Sequence, residues 1–140
     1  MKIFQYVSLG VIAVAIVIMA YFFYMLFYPF KTVDLVEPVK VLTPEVKRGG
    51  DVKLKLEVVK YNNYQAESVK YIVCADGNLI TLAPNRTNVP IGKNSFNVSF
   101  PIPTNTSLGT CHLVFNNIYI ISPIRSITQE WRTEDFEVVE

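Results

Sequence analysis

The sequence predicts an all-β domain, a seven-stranded antiparallel sandwich of the immunoglobulin or fibronectin type, preceded by one transmembrane α-helix. A long uncharged segment at the N-terminus predicts the helix. After it, short strand patterns recur at intervals of about eight to twelve residues, with Gly, Pro and Asn between them. No helical periodicity interrupts these patterns. At 140 residues, the chain has room for the helix and one ordinary domain.

The N-terminal helix rests on the clearest pattern in the chain. No charged residue occurs between Lys2 and Lys31, and this run exceeds the roughly 20 residues that a helix needs to cross a hydrocarbon core of about 30 Å. Aromatic residues crowd its far end, where amphipathic rings prefer the level of the lipid headgroups. The predicted membrane-interface anchors are Tyr21, Tyr24 and Tyr28.

A cleaved signal peptide is the main alternative, because Ala13 and Ala15 form a small-x-small pattern after a short apolar run. The apolar run continues for about fifteen residues beyond this pattern, which disfavours cleavage. Basic residues lie on both sides of the segment, so charge alone does not decide its orientation. A very short N-terminal tail is typical of a signal anchor, and we therefore expect the C-terminal domain on the extracytoplasmic side.

The strand pattern is clearest at residues 51–58, where aliphatic and charged residues alternate as in a half-buried antiparallel strand. A second alternation covers residues 95–100 and ends at a proline. Between these two strands, residues 69–75 and 79–82 flank the sequence Asp-Gly-Asn at 76–78. Gly and Asn adopt the left-handed conformations of tight turns at little cost, so these segments are predicted to form a hairpin.

Three further strands complete the set. They cover residues 110–116, residues 126–138 and, more weakly, residues 38–42. In the strand at residues 126–138, the alternation falters around residues 133–135, where we expect a break or a bulge.

The same patterns set the predicted domain boundaries. Residues 1–30 form the N-terminal transmembrane anchor, which Pro29 ends. Residues 31–48 form a short stiff stalk, rich in proline, that merges into the leading strand. Residues 49–140 form the β-sandwich domain.

Several features of the whole chain occur together. The anchor ends in Tyr28-Pro29-Phe30-Lys31, two glycines at 49–50 precede the first long strand, and residues 121–126 lead into a closing strand at 134–138. In this combination the chain resembles small uncharacterised membrane-anchored Ig-like β-sandwich proteins encoded by bacteria and bacteriophages. The resemblance implies a fold and a membrane location. It implies no activity and supplies no functional residues.

Cys74 and Cys111 are the only two cysteines. In an exported domain, an even number permits one disulfide, which would close a loop of about 37 residues. The alternative is two free, partly buried thiols that behave as small hydrophobic side chains. It becomes the better interpretation if the domain faces a reducing cytoplasm.

Charge and composition disfavour several classes of function. A formal net charge of +1 gives no basic field for nucleic acid. His112 is the only histidine, which excludes most metal sites and the usual nucleophilic triads. An enzyme using the carboxylates of the last strand would need a second chemical group, and none lies near them in sequence. We expect no catalytic residues, no cofactor, no metal and no small-molecule substrate.

The expected function is that of a membrane-tethered, non-enzymatic module that acts by protein–protein contact at the cell envelope. The predicted partners are the lipid bilayer and an unidentified protein. Tyr and Asn at one end of the sandwich offer amphipathic contact at little entropic cost, and a tryptophan can serve as an exposed anchor. The candidate contact residues are Asn62, Asn63, Tyr64, Asn116, Asn117, Tyr119 and Trp131. The alternative is a structural subunit of a membrane-embedded assembly whose sandwich domain caps the helices.

Overall fold

The computed structural model describes residues 2–87 and 89–140. Within these residues, one helix precedes ten strands. The elements are α1 (Lys2–Phe27), β1 (Val33–Leu35), β2 (Lys40–Val41), β3 (Glu45–Lys47), β4 (Asp51–Lys60), β5 (Ala66–Cys74), β6 (Leu79–Thr87), β7 (Gly92–Pro101), β8 (Gly109–Ser122), β9 (Arg125–Arg132) and β10 (Phe136–Val139).

Helix α1 is long and apolar enough to cross a membrane. Its segment Gln5–Phe27 has 23 residues, and the most apolar part has a mean hydropathy of 2.5 with none of it buried against the rest of the protein. The helix ends two residues before Pro29, as expected of a residue that lacks a backbone donor. Tyr21, Tyr24 and Tyr28 are exposed around its far end, a position compatible with their predicted role at the membrane interface.

The strands form two sheets that pack face to face. In the first sheet, β4 is central, with β1 and β2 along one edge and β7 along the other. The second sheet has the order β3-β10-β8-β5-β6, and β9 pairs with β8 beyond the end of β10. Side chains of both sheets fill the core, including Leu54 from the first and Ile72 and Leu113 from the second.

The all-β fold and several elements agree with the sequence prediction. The Asp-Gly-Asn turn joins β5 to β6 as a hairpin, and the predicted break divides the last strand into β9 and β10. At this break the Thr133 hydroxyl accepts a hydrogen bond from the backbone N–H of Leu113, at 3.0 Å. At this point the Thr133 hydroxyl therefore takes the place of a backbone carbonyl as the acceptor for β8.

Two details of the predicted fold class are wrong: the described residues form ten strands rather than seven, and the second sheet is mixed rather than purely antiparallel. Residues 31–48 are not a stalk, because they supply β1 and β2 to the first sheet and then cross to the second, where β3 pairs in parallel with β10. Val33, Val39 and Val46 are buried in this segment. The sandwich therefore begins at β1, before the predicted boundary at residue 49.

The sandwich has a near end, next to α1, and a far end. Register places Val33, Lys60 and Gly92 together at the near end. The disulfide-bonded pair Cys74 and Cys111 lies towards the far end. The near end of the second sheet is the β8–β9 hairpin, which turns at residues 123–124.

Arg125 joins this hairpin to the helix. Its guanidinium donates hydrogen bonds to the carbonyl oxygens of Met25 (2.8 Å) and Tyr28 (2.7 Å). It also lies 5.2 Å from the centre of the Phe30 ring. The last carbonyls of a helix have no partner within the helix, and a cation at this end also complements the helix dipole. Arg125 therefore holds the near end of the sandwich against the end of α1.

A candidate ligand cavity between the sheets

The inner face of the second sheet changes character along its length. Its inward-facing side chains form cross-strand pairs between β5 and β8. At the far end these pairs are apolar, whereas polar and charged side chains appear towards the near end. In order from far to near, the pairs are Cys74–Cys111, Ile72–Leu113, Lys70–Phe115, Ser68–Asn117 and Ala66–Tyr119.

The two sheets enclose a cavity of about 260 Å³ beside this polar half. We call it the intersheet cavity. Its walls are mainly apolar and come from both sheets, with polar groups at a few points, an arrangement typical of sites for small molecules. The apolar walls include Val33, Leu56, Val58, Phe96, Val98, Phe115 and Trp131, and the polar groups are Lys60, Ser68, Lys70, Asn85, Ser99, Asn117 and Tyr119.

The cavity reaches solvent between the edges of the two sheets. Strand β6 pairs with β5 and strand β7 with β4, and the described residues show no pairing between β6 and β7. Asn85 on β6 and Ser99 on β7 line the cavity and are exposed. A shallow groove on the outer side of this opening is also lined by Asn85 and Ser99, and it touches Lys70 and Phe100. A ligand therefore has an entrance at this edge, next to Lys70.

Lys70 is a buried ammonium without a carboxylate partner among the residues that the structure describes. Only 4% of the residue is exposed. Its Nζ donates a hydrogen bond to Asn85 Oδ1 and lies 5.2 Å from the centre of the Phe100 ring. These neutral partners offset part of the cost of burying a charge, and an anion would offset much more.

Lys60 is a second buried lysine, at the near end of the cavity. The residue is 3% exposed, and its Nζ donates to the carbonyl oxygen of Val89 at 2.8 Å. Within the described part of the chain, it too lacks a carboxylate partner. Two cations therefore line a small, mainly apolar space.

Asn117 adds an unused donor to the same wall. It is 5% exposed, and its Nδ2 has no hydrogen-bond partner in the described residues. A buried donor without a partner costs about 1–3 kcal/mol. A ligand with an acceptor atom near Asn117 would recover this cost.

Burial lowers the pKa of the Lys70 ammonium from its ordinary value of 10.5. The unfolded chain then keeps this proton to a higher pH than the folded protein does. The burial cost is fully present below the lowered pKa and is relieved as the pH rises towards 10.5.

We therefore predict that Lys70→Met is more stable than the wild type at neutral pH, and that this difference shrinks as the pH is raised towards 10.5. Thermal unfolding of both proteins over a series of pH values measures it. A difference that stays constant with pH would show that Lys70 is not a buried, uncompensated cation.

The structure distributes the predicted contact residues differently from the sequence analysis. Tyr64, Asn117, Tyr119 and Trp131 line the intersheet cavity, and burial raises the pKa of Tyr119 to about 12. Asn62 and Asn63 are exposed in the β4–β5 connection, and Asn116 faces away from the cavity, half-buried on β8. The seven predicted residues therefore do not form one continuous surface at the end of the sandwich. Because β8 continues to Ser122, residues 116–119 lie inside a strand and alternate between its faces.

Sequence reasoning missed both lysines, Ser68 and Asn85. The alternation of β4 contained a signal for Lys60. Val52 to Val58 face inward at every second position, and the same phase continues to Lys60. No comparable signal existed for Lys70, because both faces of β5 carry apolar residues and its phase was ambiguous.

Cys74 and Cys111 form a disulfide that links β5 to β8 on the inner face of the second sheet. Both residues are buried in the main core cluster. The bond thus lies two pairs beyond Lys70 along the same ladder, where it secures the packed half of the sandwich rather than the cavity.

Comparison with known proteins shows the fold and no family. Neither a protein-family model nor a curated protein matches the sequence. Among solved structures, the C-terminal domain of Wzt aligns with a TM-score of 0.52 and 14% identity, over 79% of this chain and 75% of that one. A Niemann-Pick type C2 protein from the Japanese carpenter ant aligns with a TM-score of 0.47 and 8% identity, over 78% of this chain and 100% of that one. A CARDB domain from Pyrococcus furiosus aligns with a TM-score of 0.38 and 15% identity, over 79% and 91%. Of these three, the first shows a shared fold of the β-sandwich type.

Proposed function

We propose that the protein is a membrane-tethered, non-enzymatic module that binds an amphipathic anion in the intersheet cavity. The observation that carries this proposal is Lys70, a buried ammonium without a carboxylate partner among the described residues, at the entrance of a mainly apolar space. A carboxylate or phosphate at the entrance would pair with this charge. The apolar part of the ligand would then fill the space between the sheets.

The size and chemistry of the cavity narrow the ligand further. A volume of about 260 Å³ suits one hydrocarbon chain or a group of similar size, and it is too small for a folded peptide. The walls next to Lys70 are aromatic, and the rings of Phe100 and Phe115 lie 5.5 Å apart across the two sheets. The ligand class is therefore a fatty acid or an anionic lipid that inserts one chain.

The proposal keeps the tether and the binding role that the sequence predicts, and it changes the partner from a protein surface to a small amphiphile. We also propose that α1 spans the membrane once, with the sandwich on the extracytoplasmic side, in the manner of the membrane-anchored Ig-like proteins that the chain resembles. The Cys74–Cys111 disulfide supports this placement, because such bonds persist in oxidising compartments and are rare in the cytosol.

Trp131 provides a direct assay of cavity occupancy. It is the only tryptophan in the chain and it lines the cavity. The full chain in nanodiscs of zwitterionic phospholipid is titrated with a medium-chain fatty acid that carries bromine, which quenches tryptophan emission on contact. We expect saturable quenching by the acid and weaker binding of the corresponding brominated alcohol.

Lys70→Met should weaken binding of the brominated acid by at least about tenfold, because a hydrogen bond to a charged group contributes about 1.5–3 kcal/mol. Binding of the alcohol should not change. Lys53→Met is the matched control, because Lys53 is exposed on the outer face of β4. Equal binding of the acid by wild type and Lys70→Met would contradict the proposal.

The source of the ligand is tested in the same assay. Nanodiscs that contain anionic phospholipid should reduce binding of the free acid if a bilayer lipid can enter the cavity. They should leave it unchanged if the ligand is a free fatty acid.

A further inference from the structure

We propose that the near end of the sandwich docks on the bilayer surface through exposed isoleucines of two loops, so that the domain lies on the membrane and is not merely tethered to it. This inference is independent of the intersheet cavity. The partner is the lipid of the membrane that α1 is proposed to span.

The connection between helix and sandwich keeps the near end close to the membrane. Residues 28–32 join α1 to β1, and five extended residues span at most about 17 Å. Arg125 shortens this distance further, because it donates hydrogen bonds to Met25 (2.8 Å) and Tyr28 (2.7 Å) in the last part of the helix. The β8–β9 hairpin thus lies at the level of the helix end.

The tip of this hairpin projects beyond the rest of the second sheet. Pairing between β5 and β8 stops at Tyr119, whereas β8 continues to Ser122. On this projection Ile120 is 62% exposed and Ile124 is 48% exposed. A single exposed isoleucine is common on a protein surface and needs no explanation. Two on one hairpin tip, beside a helix that is proposed to span a membrane, fit the interfacial region of a bilayer.

A second loop carries the same chemistry at the same end. Ile91 is 61% exposed and directly precedes Gly92, which pairs with Lys60 at the near end of the first sheet. Lys93 follows this loop. Lys31, at the same end of the first sheet, has its Nζ 5.3 Å from the centre of the Tyr61 ring. Apolar side chains flanked by basic ones are the pattern of a surface that contacts lipid headgroups and the upper part of the acyl chains.

The test places a fluorescent dye at single cysteines of the full chain in liposomes, with the Cys74–Cys111 disulfide left oxidised so that neither cysteine reacts. Ile120→Cys, Ile124→Cys and Ile91→Cys report the near end. Leu79→Cys is the matched control, because Leu79 is an equally exposed aliphatic residue, 59% exposed, at the far end. Phospholipids with a nitroxide high on the acyl chain quench dyes that enter the interface.

We expect several-fold stronger quenching at the three near-end positions than at Leu79→Cys. Adding Ile124→Asp to the Ile120→Cys protein should reduce quenching of its dye, whereas adding Leu108→Asp, at the far end, should not. Equal quenching at both ends, no quenching at the near end, or no effect of Ile124→Asp would each overturn the proposal. Binding of fatty acid to the cavity is measured separately through Trp131, so failure of one proposal does not imply failure of the other.

Discussion

Replacing both cysteines by alanine is expected to lower the free energy of unfolding of the sandwich by about 3–4 kcal/mol. The disulfide closes a loop with a sequence separation of 37 residues, and a crosslink of this length removes much conformational freedom from the unfolded chain. The two sulfur atoms also lie in the core, where Cys74 is 5% exposed and Cys111 is fully buried. Alanine at both positions therefore also leaves unfilled space.

Thermal unfolding of Cys74→Ala/Cys111→Ala, followed by Trp131 emission, measures this loss. For a domain of this size, we expect the Tm to fall by more than about 10 °C. Adding a reductant should lower the Tm of the wild type and leave that of the double variant unchanged. A double variant that melts within a degree or two of the wild type would show that the bond does not form.

The same bond tests the side of the membrane on which the domain lies. In intact cells, a membrane-impermeant maleimide should label the chain only after a reductant has opened the disulfide. Labelling that instead requires permeabilised cells, and needs no reductant, would place the sandwich in the cytoplasm.

The elements that could be predicted from the sequence are those whose signal is local. The uncharged run before Lys31 marks α1, the alternation at residues 51–58 marks β4, and Asp76-Gly77-Asn78 marks the β5–β6 turn. In each case, the residues that form the element also specify it. Prediction and structure agree there within a few residues.

The elements that were missed depend on tertiary contacts. Strands β1 and β3 have three residues each, too few for an alternation to be visible, and prolines at 38 and 44 suggested a stalk. Strand β2 falls within the weak strand predicted at residues 38–42. Val33 and Val46 lie in strands because β4 and β10 offer them free edges, whereas Val39 forms an isolated bridge with Thr133. The chain therefore crosses between sheets where the sequence suggested a connection outside them.

The candidate site could not be predicted for a related reason. Asn116 and Asn117 fall at the end of the strand predicted at residues 110–116, whereas the structure places both inside the longer strand β8, with Asn117 facing inward. A polar residue on an inner face is rare unless it has a partner or a function. Only the pairing of β5 with β8 shows that Asn117 and Ser68 face the same space as Lys70.

Stability and the proposed ligand binding thus belong to different halves of one sandwich. The far half is closely packed and crosslinked, with Leu54, Ile72 and Leu113 completely buried. The near half is held against α1 by Arg125 and contains the cavity with its buried cations. If the near end docks on the bilayer, the cavity residues Val33, Tyr64 and Val89 lie on the side of the domain closest to lipid.

Leu113→Ala should accordingly destabilise the sandwich strongly without changing the site. Leu113 is fully buried between the sheets, and truncating a leucine in such a position costs about 2.7–5 kcal/mol, because the surrounding side chains cannot collapse into the space. Val98→Ala is the matched control, since Val98 is half-buried on the cavity wall and should cost only about 1 kcal/mol. At temperatures where Leu113→Ala is folded, it should bind the brominated fatty acid as the wild type does, whereas Val98→Ala should alter binding. If Leu113→Ala cost no more than Val98→Ala, the far half would be as loosely packed as the near half. The division between a packed platform and a ligand-binding end would then be wrong.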